Sequence, residues 1–260
     1  MNKRKPPLVV GNWKQNPSSI TGSANLIHDL IKGLGSKKRV TEVMVAPPAV
    51  FLSQVAKDIK KRPIGLVAQA VSSNSGGAHT GEISASMLKS VGVEGVIIGH
   101  SERRMSGVSD QTVNVILKVV IANKLTPIIC VGETERDSSG DFYSTVEFQI
   151  VNALTDIASS KVSGIVIAYE PVWAIGSGVT ATTEDILEMK LFIQKVLINL
   201  YGRNVANKVR ILYGGSVKPK NATEIYQSGE VDGFLIGGAS LKAKDFVSII
   251  SSVEAVFNES

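Results

Sequence analysis

The chain has 260 residues, of which 43% are hydrophobic and 20% charged, and its formal net charge is +5. This size and composition are typical of a globular protein with a sizeable core, and they exclude a disordered chain. No uncharged apolar run reaches the roughly 18 residues that a membrane span needs, and no long apolar segment follows the basic amino terminus as a secretory signal would require. We therefore expect a single domain over residues 1–260, located in the cytoplasm and without a membrane partner.

The positive charge is scattered along the sequence. Its densest groups are Lys3–Lys5, Lys37–Arg39 and Lys60–Arg62, and none of them is interleaved with aromatic residues. This pattern favours a solvated surface over a nucleic-acid site, and a modest positive charge also suits an anionic small-molecule substrate.

Disulfides and a zinc site are both disfavoured. Cys130 is the single cysteine, the three histidines are spread along the chain, and neither a CxxC nor an HExxH pattern occurs. We expect Cys130 to pack inside an apolar strand and we predict no metal site.

Eight short apolar runs, rich in β-branched residues, recur from one end of the chain to the other. They are LVVGNWK (8–14), TEVMVAPP (41–48), IGLVAQA (64–70), GVIIGHS (95–101), TPIICVGE (126–133), GIVIAYEP (164–171), VRILYGGS (209–216) and VDGFLIGGA (231–239). Continuous apolar strands, as opposed to alternating ones, indicate a parallel sheet that is buried on both faces.

Helical periodicity lies between several of these runs. It is present in residues 22–32, 110–124, 182–202 and 241–253, and clearest in 182–202, where Thr182 or Thr183 is the expected N-cap and Gly202 the expected stop. Alternating strands and helices predict an α/β fold, a (β/α)₈ barrel of eight parallel strands with outer helices. An open doubly wound sheet is the alternative, but the first turn lacks GxGxxG.

In such a barrel the carboxyl ends of all strands meet at one rim, where the chemistry of these folds is found. The polar or glycine residues at predicted strand ends are Asn12, Lys14, His100, Glu170, Ser216, Gly237 and Gly238. We expect them to gather around one cavity.

The two glycine pairs in LYGGS and LIGGA end consecutive strands. Paired glycines let an anion approach backbone N–H groups, and the last two loops of barrels commonly hold phosphate. Tight turns are the simpler explanation of a single pair. Two pairs on neighbouring strands, with the Ser216 hydroxyl beside them, favour a phosphate site.

Each polar candidate also has an ordinary interpretation. Lys14 could extend to solvent, but with Asn12 beside it we expect it to stabilise a negative oxygen. His100 could be a core histidine, yet a helical turn after it would disfavour the imidazolium and leave a neutral hydrogen-bond donor. Glu102 could be a second acid, but with Arg103 and Arg104 adjacent we expect it to form a structural ion pair.

The segment AYEPVWAIGSG places Glu170 at the end of a buried strand, followed by a rigid Pro171 and a glycine-containing tip. We interpret Glu170 as a base and residues 171–181 as a lid that excludes water. A plain connecting loop is the alternative, although it does not account for Trp173 and Ile175 in an exposed turn.

Together the motifs GNWK-x-N, GHSERR, AYEPVWAIGSG, YGGS and LIGGAS span residues 11–240, and they resemble the triosephosphate isomerase family. The resemblance implies interconversion of dihydroxyacetone phosphate and glyceraldehyde 3-phosphate, as in glycolysis and gluconeogenesis, without a metal or organic cofactor. In that scheme Glu170 removes the proton, neutral His100 polarises the carbonyl, and Lys14 offsets the developing charge with Asn12 beside it.

The resemblance also implies how the substrate and a partner subunit are held. Gly176, Ser216, Gly237 and Gly238 would bind the phosphate, and Tyr213 would latch the lid near Ala181. The long loop 71–82 would contact a second subunit in a homodimer, placing Thr80 near the partner's Asn12. Gln15, Ala70 and His79 depart from the family pattern, several of them in or near that loop.

Two other functions fit a phosphate-binding barrel. One is a synthase of the indole-glycerol-phosphate type, which would need a larger pocket and further strand-end acids and lysines. The other is an inactive barrel retained as a binding or adhesion partner, which the basic surface permits.

Overall fold

The closed parallel barrel is confirmed. The structure is a computed structural model that describes residues 5–36, 38–136, 139–174 and 180–259. Each strand is paired in parallel with the next, and β8 pairs with β1. The strands are β1 (Leu8–Asn12), β2 (Glu42–Ala46), β3 (Ile64–Ala68), β4 (Gly95–Ile98), β5 (Thr126–Val131), β6 (Val166–Tyr169), β7 (Arg210–Tyr213) and β8 (Gly233–Ile236).

Helices follow the strands around the outside. They are α1 (Ile20–Leu34), α2 (Leu52–Asp58), α3 (Ala85–Ser90), α4 (Ser101–Met105), α5 (Asp110–Ala122), α6 (Asp141–Leu154), α7 (Ser159–Val162), α8 (Thr183–Tyr201), α9 (Arg203–Ala206), α10 (Ala222–Ser228) and α11 (Ala243–Glu259). Short 3₁₀ turns cover Ala49–Phe51, Val172–Ala174 and Gly238–Leu241. No helix within the described ranges has the length and apolarity that crossing a bilayer requires.

Both faces of the strands are buried, as the continuous apolar runs predict. Along β1, Val9 packs with the outer helices, whereas its neighbours Leu8 and Val10 belong to a separate cluster inside the barrel. This division follows from the alternation of side chains along a strand. Cys130 belongs to the inner cluster and is buried, as expected.

Local signals position the helices that the sequence predicts. α8 begins after Thr182, whose side chain accepts a hydrogen bond from the Asp185 amide, while the Asp185 carboxylate accepts one from the Thr182 backbone N–H. This reciprocal capping, followed by the stop at Gly202, accounts for its clear boundaries. The helical turn expected after His100 is present as α4. The short helices α7 and α9 were not predicted, because four residues are too few to show a period.

The last helix fixes the closure of the barrel. A Cβ placed on Gly11 of β1 would lie 3.0 Å from Cζ of Phe246 on α11, so the ring packs directly against the backbone of the first strand. At one end of α11, Glu254 pairs with Arg39 at 2.6 Å and accepts the amide of Val40 at 2.7 Å. The first and last parts of the chain are thus held together by packing and by charge.

Replacing Phe246 with alanine tests this packing. The ring is fully buried, so we expect Phe246→Ala to lower the free energy of unfolding by about 3–5 kcal/mol. Phe148, which is 58% exposed on α6, is the matched control, and Phe148→Ala should change it by less than about 0.5 kcal/mol. Urea unfolding at one protein concentration measures both, and equal losses would contradict this description of the core.

Candidate active site

Seven of the predicted site residues line one cleft at the carboxyl ends of the strands. Its volume is about 250 Å³, just below the range of roughly 300–1,000 Å³ usual for ligand pockets, which favours a small substrate. The lining residues are Asn12, Lys14, His100, Glu170, Gly214, Gly215, Ser216, Leu235, Gly237 and Gly238. The eighth predicted residue, Gly176, and positions 175–179 of the predicted lid lie outside the described residues.

Glu170 directly follows β6, and its carboxylate is almost completely buried. One oxygen, Oε1, lies 3.1 Å from Nε2 of His100, and the other accepts the backbone amide of Ser101 at 3.1 Å. Both oxygens therefore already have a hydrogen-bond donor.

The tautomer of His100 follows from the hydrogen bond that its other ring nitrogen, Nδ1, accepts. His100 caps α4, and its Nδ1 accepts the backbone N–H of Glu102 at 3.2 Å. A nitrogen that accepts an amide proton carries none of its own, so the ring proton is on Nε2, facing Glu170. The Glu102 carboxylate lies 3.7 Å from Nδ1, too far to change this assignment. His100 is thus a neutral hydrogen-bond donor in the cleft.

The expected pairing of Glu102 with its neighbours in sequence is wrong. Lys14 donates to Glu102 Oε1 at 2.7 Å, whereas Arg104 turns away to pair with Asp110 at 2.5 Å. Consecutive residues of a helix point in different directions, which leaves Glu102 free to reach across the rim. Burial tends to raise the pKa of Glu102, but the hydrogen bond and charge of Lys14 outweigh it and lower the pKa.

Lys14 itself is held in an unusual backbone conformation. Its φ is +52°, in the left-handed region that non-glycine residues rarely occupy. The side chain of Asn12 accepts its amide at 3.0 Å, and Nε2 of Gln69 donates to its carbonyl at 2.8 Å. The same Gln69 nitrogen donates to Ala46 at 2.7 Å, which ties the turn after β1 to the end of β2.

The glycines of the last two strand ends leave space for neighbouring groups. A Cβ on Gly214 would lie 2.8 Å from Cγ of Glu170, and one on Gly215 would lie 2.2 Å from the Tyr213 hydroxyl. A Cβ on Gly237 would lie 3.3 Å from Cε of Lys14. None of the three has a positive φ, so close approach, more than turn geometry, explains them.

Tyr213 ends β7 beneath this glycine pair, and its hydroxyl is buried without a hydrogen bond of normal geometry to any described residue. Burial and the charge of Asp185 raise the pKa of Tyr213 to about 12, against an opposing effect of the Ser216 backbone. The hydroxyl therefore stays protonated at neutral pH and is available as a donor.

A larger cavity of about 990 Å³ opens at the opposite rim, among the amino ends of the strands. It contains none of the predicted site residues. Three ion pairs occupy its wall: Lys5 with Asp232 at 3.5 Å, Lys190 with Glu230 at 3.3 Å, and Arg210 with Glu42 at 2.7 Å. In barrels of this kind this rim serves stability and the other serves chemistry, so we place the site in the smaller cleft.

Comparison with known proteins agrees with this geometry. A family model described as triosephosphate isomerase matches residues 7–253. The triosephosphate isomerase of Chloroherpeton thalassium is 45% identical over 249 residues, 95% of this chain and 98% of its own. That of Chlorobium chlorochromatii is 46% identical over 250 residues, 94% and 97% of the two chains, and that of Rhodopirellula baltica is 44% identical over 247 residues, 94% and 96%.

The chain belongs to the triosephosphate isomerase family.

Membership of the triosephosphate isomerase family agrees with the motifs, but the motifs alone did not show several contacts that hold the site. Gln69 and Ser101 were not predicted as contacts of the site, and neither was Glu102 as the partner of Lys14. The contacts of the Ser101 and Glu102 amides could have been predicted, because a helix following His100 places both amides in its first turn, where they have no partner within the helix. Gln69 gave no such signal, since one polar residue after a strand is unremarkable. Among the described residues no cluster of metal-ligating side chains occurs.

Substitution of Gly132 tests how closely the position of the Glu170 backbone is constrained. A Cβ on Gly132 would lie 1.8 Å from the Glu170 carbonyl oxygen, so the strand end must shift. We expect Gly132→Ala to lower kcat/KM by roughly 100-fold, as misplacement by about 1 Å does. Gly164→Ala is the control, because its Cβ would meet its nearest neighbour at an ordinary 3.8 Å. Steady-state kinetics compare the two, and normal activity in Gly132→Ala would show that the backbone adapts.

Proposed function

We propose that this member of the triosephosphate isomerase family interconverts dihydroxyacetone phosphate and D-glyceraldehyde 3-phosphate with Glu170, His100 and Lys14 as its catalytic groups. The observation that carries the proposal is that a carboxylate, a neutral imidazole and an ammonium group line one small cleft. A base, a hydrogen-bond donor and a cation are what proton transfer next to a carbonyl requires.

Glu170 is the proposed base that removes the proton from the carbon beside the carbonyl. In this structure its carboxylate is held by His100 and the Ser101 amide. A substrate carbonyl that accepts the Nε2 proton of His100 takes that donor away from Glu170. The carboxylate then has one hydrogen bond fewer and is a stronger base toward the neighbouring carbon.

Lys14 and His100 are proposed to stabilise the enediolate. Lys14 is the one cation among the described residues that line the cleft, and Glu102 neutralises it in this structure. Negative charge developing on the substrate oxygens competes with Glu102 for Lys14. That interaction strengthens toward the transition state, which is the condition for it to accelerate the reaction. Asn12 contributes by holding the Lys14 backbone.

The phosphate is proposed to bind at Ser216, Gly237 and Gly238, which line the same cleft as Glu170. Gly238 begins a 3₁₀ turn and Gly237 is only partly buried, so their backbones can face an anion. The contact from Gly176, the lid 171–181 and the latch between Tyr213 and Ala181 stay predictions. We propose no metal or organic cofactor, because Lys14 and His100 supply the positive charge and the donor that the step needs.

The size of the cleft argues against the synthase alternative. An indole-type substrate needs a pocket for an aromatic ring system, and about 250 Å³ between polar and glycine residues does not provide one. A panel of phosphorylated substrates under identical conditions separates the two activities.

Glu170→Gln tests the proposed base. The amide keeps the size of the side chain and cannot take the proton, so we expect kcat to fall by roughly 10²–10⁴-fold while an unreactive triose-phosphate analogue still binds. A coupled assay measures turnover and calorimetry measures binding. Glu224→Gln, at an exposed site on α10, is the control and should keep full activity.

Two results would contradict the proposal. Near-normal turnover in Glu170→Gln removes the base assignment. A purified parent protein that folds but does not interconvert the two triose phosphates favours the inactive barrel retained as a binding partner.

We also propose that the chain works as a homodimer in the cytoplasm. Residues 75–82 of the predicted contact loop are exposed, and exposed apolar side chains surround the same sector: Val50 (80%), Met87 (58%) and Met105 (71%). They follow β2, β3 and β4, which are neighbours in the barrel. Exposed apolar groups that share one sector support an interaction surface.

Light scattering across a dilution series tests the dimer. We expect a mass of twice the 27.6 kDa chain, and we expect Met87→Glu to shift it toward the monomer by burying a charge in the contact. The control is Leu191→Glu, at an exposed position on α8 outside this sector, which should leave the mass unchanged. A fully active protein of single-chain mass excludes the dimer as the working form.

A further inference from the structure

A buried carboxylate outside the cleft holds the segment that carries Glu170. Glu133 follows β5 and is 1% exposed. Its Oε1 accepts three hydrogen bonds, from the Tyr169 hydroxyl at 2.8 Å, the Trp173 indole at 2.7 Å and Nε of Arg136 at 3.2 Å. Its Oε2 is buried without a partner among the described residues.

The groups that Glu133 binds lie on both sides of the proposed base. Tyr169 directly precedes Glu170, and Trp173 follows it by three residues. Two backbone hydrogen bonds also join the loop after β5 to the Glu170 segment. The Val172 N–H donates to the Glu133 carbonyl at 3.0 Å, and the Glu170 N–H donates to the Val131 carbonyl at 2.8 Å. The loop after β5 is therefore the support on which the Glu170 segment rests.

Arg136 is the cation that pairs with Glu133 in the part of the chain that the structure describes. Its guanidinium also binds the first turns of α8, with Nη1 2.7 Å from Asp185 and 2.9 Å from Glu188, and Nη2 donating to the Asp185 carbonyl at 3.2 Å. The same group lies 5.9 Å from the centre of the Trp173 ring. These bonds hold the guanidinium with its charge beside Glu133.

We propose that Arg136 is a positioning residue for catalysis, which keeps Glu133 ionised and thereby holds Tyr169 and Trp173 in place on either side of Glu170. The proposal rests on the proposed function, since it takes Glu170 as the base. Arg136 itself is separated from the cleft and does not touch the substrate site.

The physical reason is the cost of a buried charge. A carboxylate inside a protein that loses its only cation is strongly destabilised and takes up a proton instead. Protonated Glu133 is a much weaker acceptor for Tyr169 and Trp173, because hydrogen bonds to an ionised acceptor are about twice as strong as neutral ones. The two side chains would then no longer be held, and the strand end with Glu170 would loosen.

Several ionisable groups face this cluster, and they bear on its pH dependence. They are Arg136 in the same loop, Tyr169 on β6, Asp185 and Glu188 on α8, and Tyr143 on α6, whose hydroxyl donates to Glu188. Burial, and then the charge of Glu133, raise the pKa of Tyr169 well above its usual value. Tyr169 therefore remains a donor at every pH of interest, and Glu133 is left as the group that responds to loss of Arg136.

The test is the pH dependence of kcat/KM for Arg136→Gln, divided by that of the parent at each pH. Burial without a cation raises the pKa of a carboxyl group by up to about 3–5 units, so the ratio should decrease by about tenfold between pH 8 and pH 6. Arg136→Lys retains a positive charge, so its ratio should be almost constant. The control Arg62→Gln, an exposed arginine, should match the parent throughout.

Glu133→Gln identifies the titrating group. This variant has no ionisable group at the position, so its activity should be low but in a constant ratio to the parent. In the double variant Arg136→Gln/Glu133→Gln the slope of the ratio should disappear. Glu188→Gln removes a different partner of Arg136 and leaves Arg136 and Glu133 paired, so its ratio to the parent should not depend on pH.

The outcomes separate the two proposals. A ratio that does not depend on pH in folded Arg136→Gln, or one that falls equally in Arg136→Lys, means that Arg136 only supports the fold. Should Arg136→Gln not fold, a falling ratio in Arg136→Lys or a pH-dependent ratio in Glu133→Gln overturns the proposal. The assignment of Glu170 as the base is tested separately by the turnover of Glu170→Gln, a variant in which the Arg136–Glu133 pair is intact.

Discussion

The parallel pairing of β1 with β8, from Leu8 beside Gly233 to Gly11 beside Ile236, turns the sheet into a closed barrel. Every strand then ends at the same rim, whatever its place in the sequence. A Cβ on Gly237, just past β8, would lie 3.3 Å from the side chain of Lys14, two residues past β1. Without this pairing the glycine residues after β8 and the cation after β1 would belong to opposite edges of an open sheet.

Within the cleft each charged candidate group is already paired. Glu170 binds the Nε2 proton of His100, and Lys14 binds Glu102. When a substrate binds, these groups therefore exchange existing hydrogen bonds for new ones, and none of them is an unpaired charge beforehand. The arrangement keeps the buried groups solvated by the protein, and it makes preorganisation of the donors, more than the number of charges, the property on which the chemistry depends.

Much of the fold could be predicted from the sequence. All eight strands were, because burial on both faces leaves continuous apolar runs, and α8 was, because Thr182 and Gly202 mark its ends. Seven of the residues that line the cleft were found by the rule that strand ends converge. The pairing of Glu102 with Lys14 was not predicted, because it joins residues 88 positions apart. Nearness in sequence suggested the adjacent arginines as partners instead. Gln69, Glu133 and Arg136 likewise act through contacts that only the assembled barrel creates.

The left-handed backbone of Lys14 has a consequence for related sequences. A residue other than glycine or asparagine in this conformation costs about 1–3 kcal/mol, and here Asn12 and Gln69 are committed to maintaining it. This cost works against folding, and the proposed role of Lys14 in turnover would be the reason for keeping a lysine here. A related barrel that no longer needs catalytic activity should accordingly lose the lysine early, and its folded state should become more stable when glycine or asparagine replaces it. The residue at this position would then distinguish active members of the family from inactive ones.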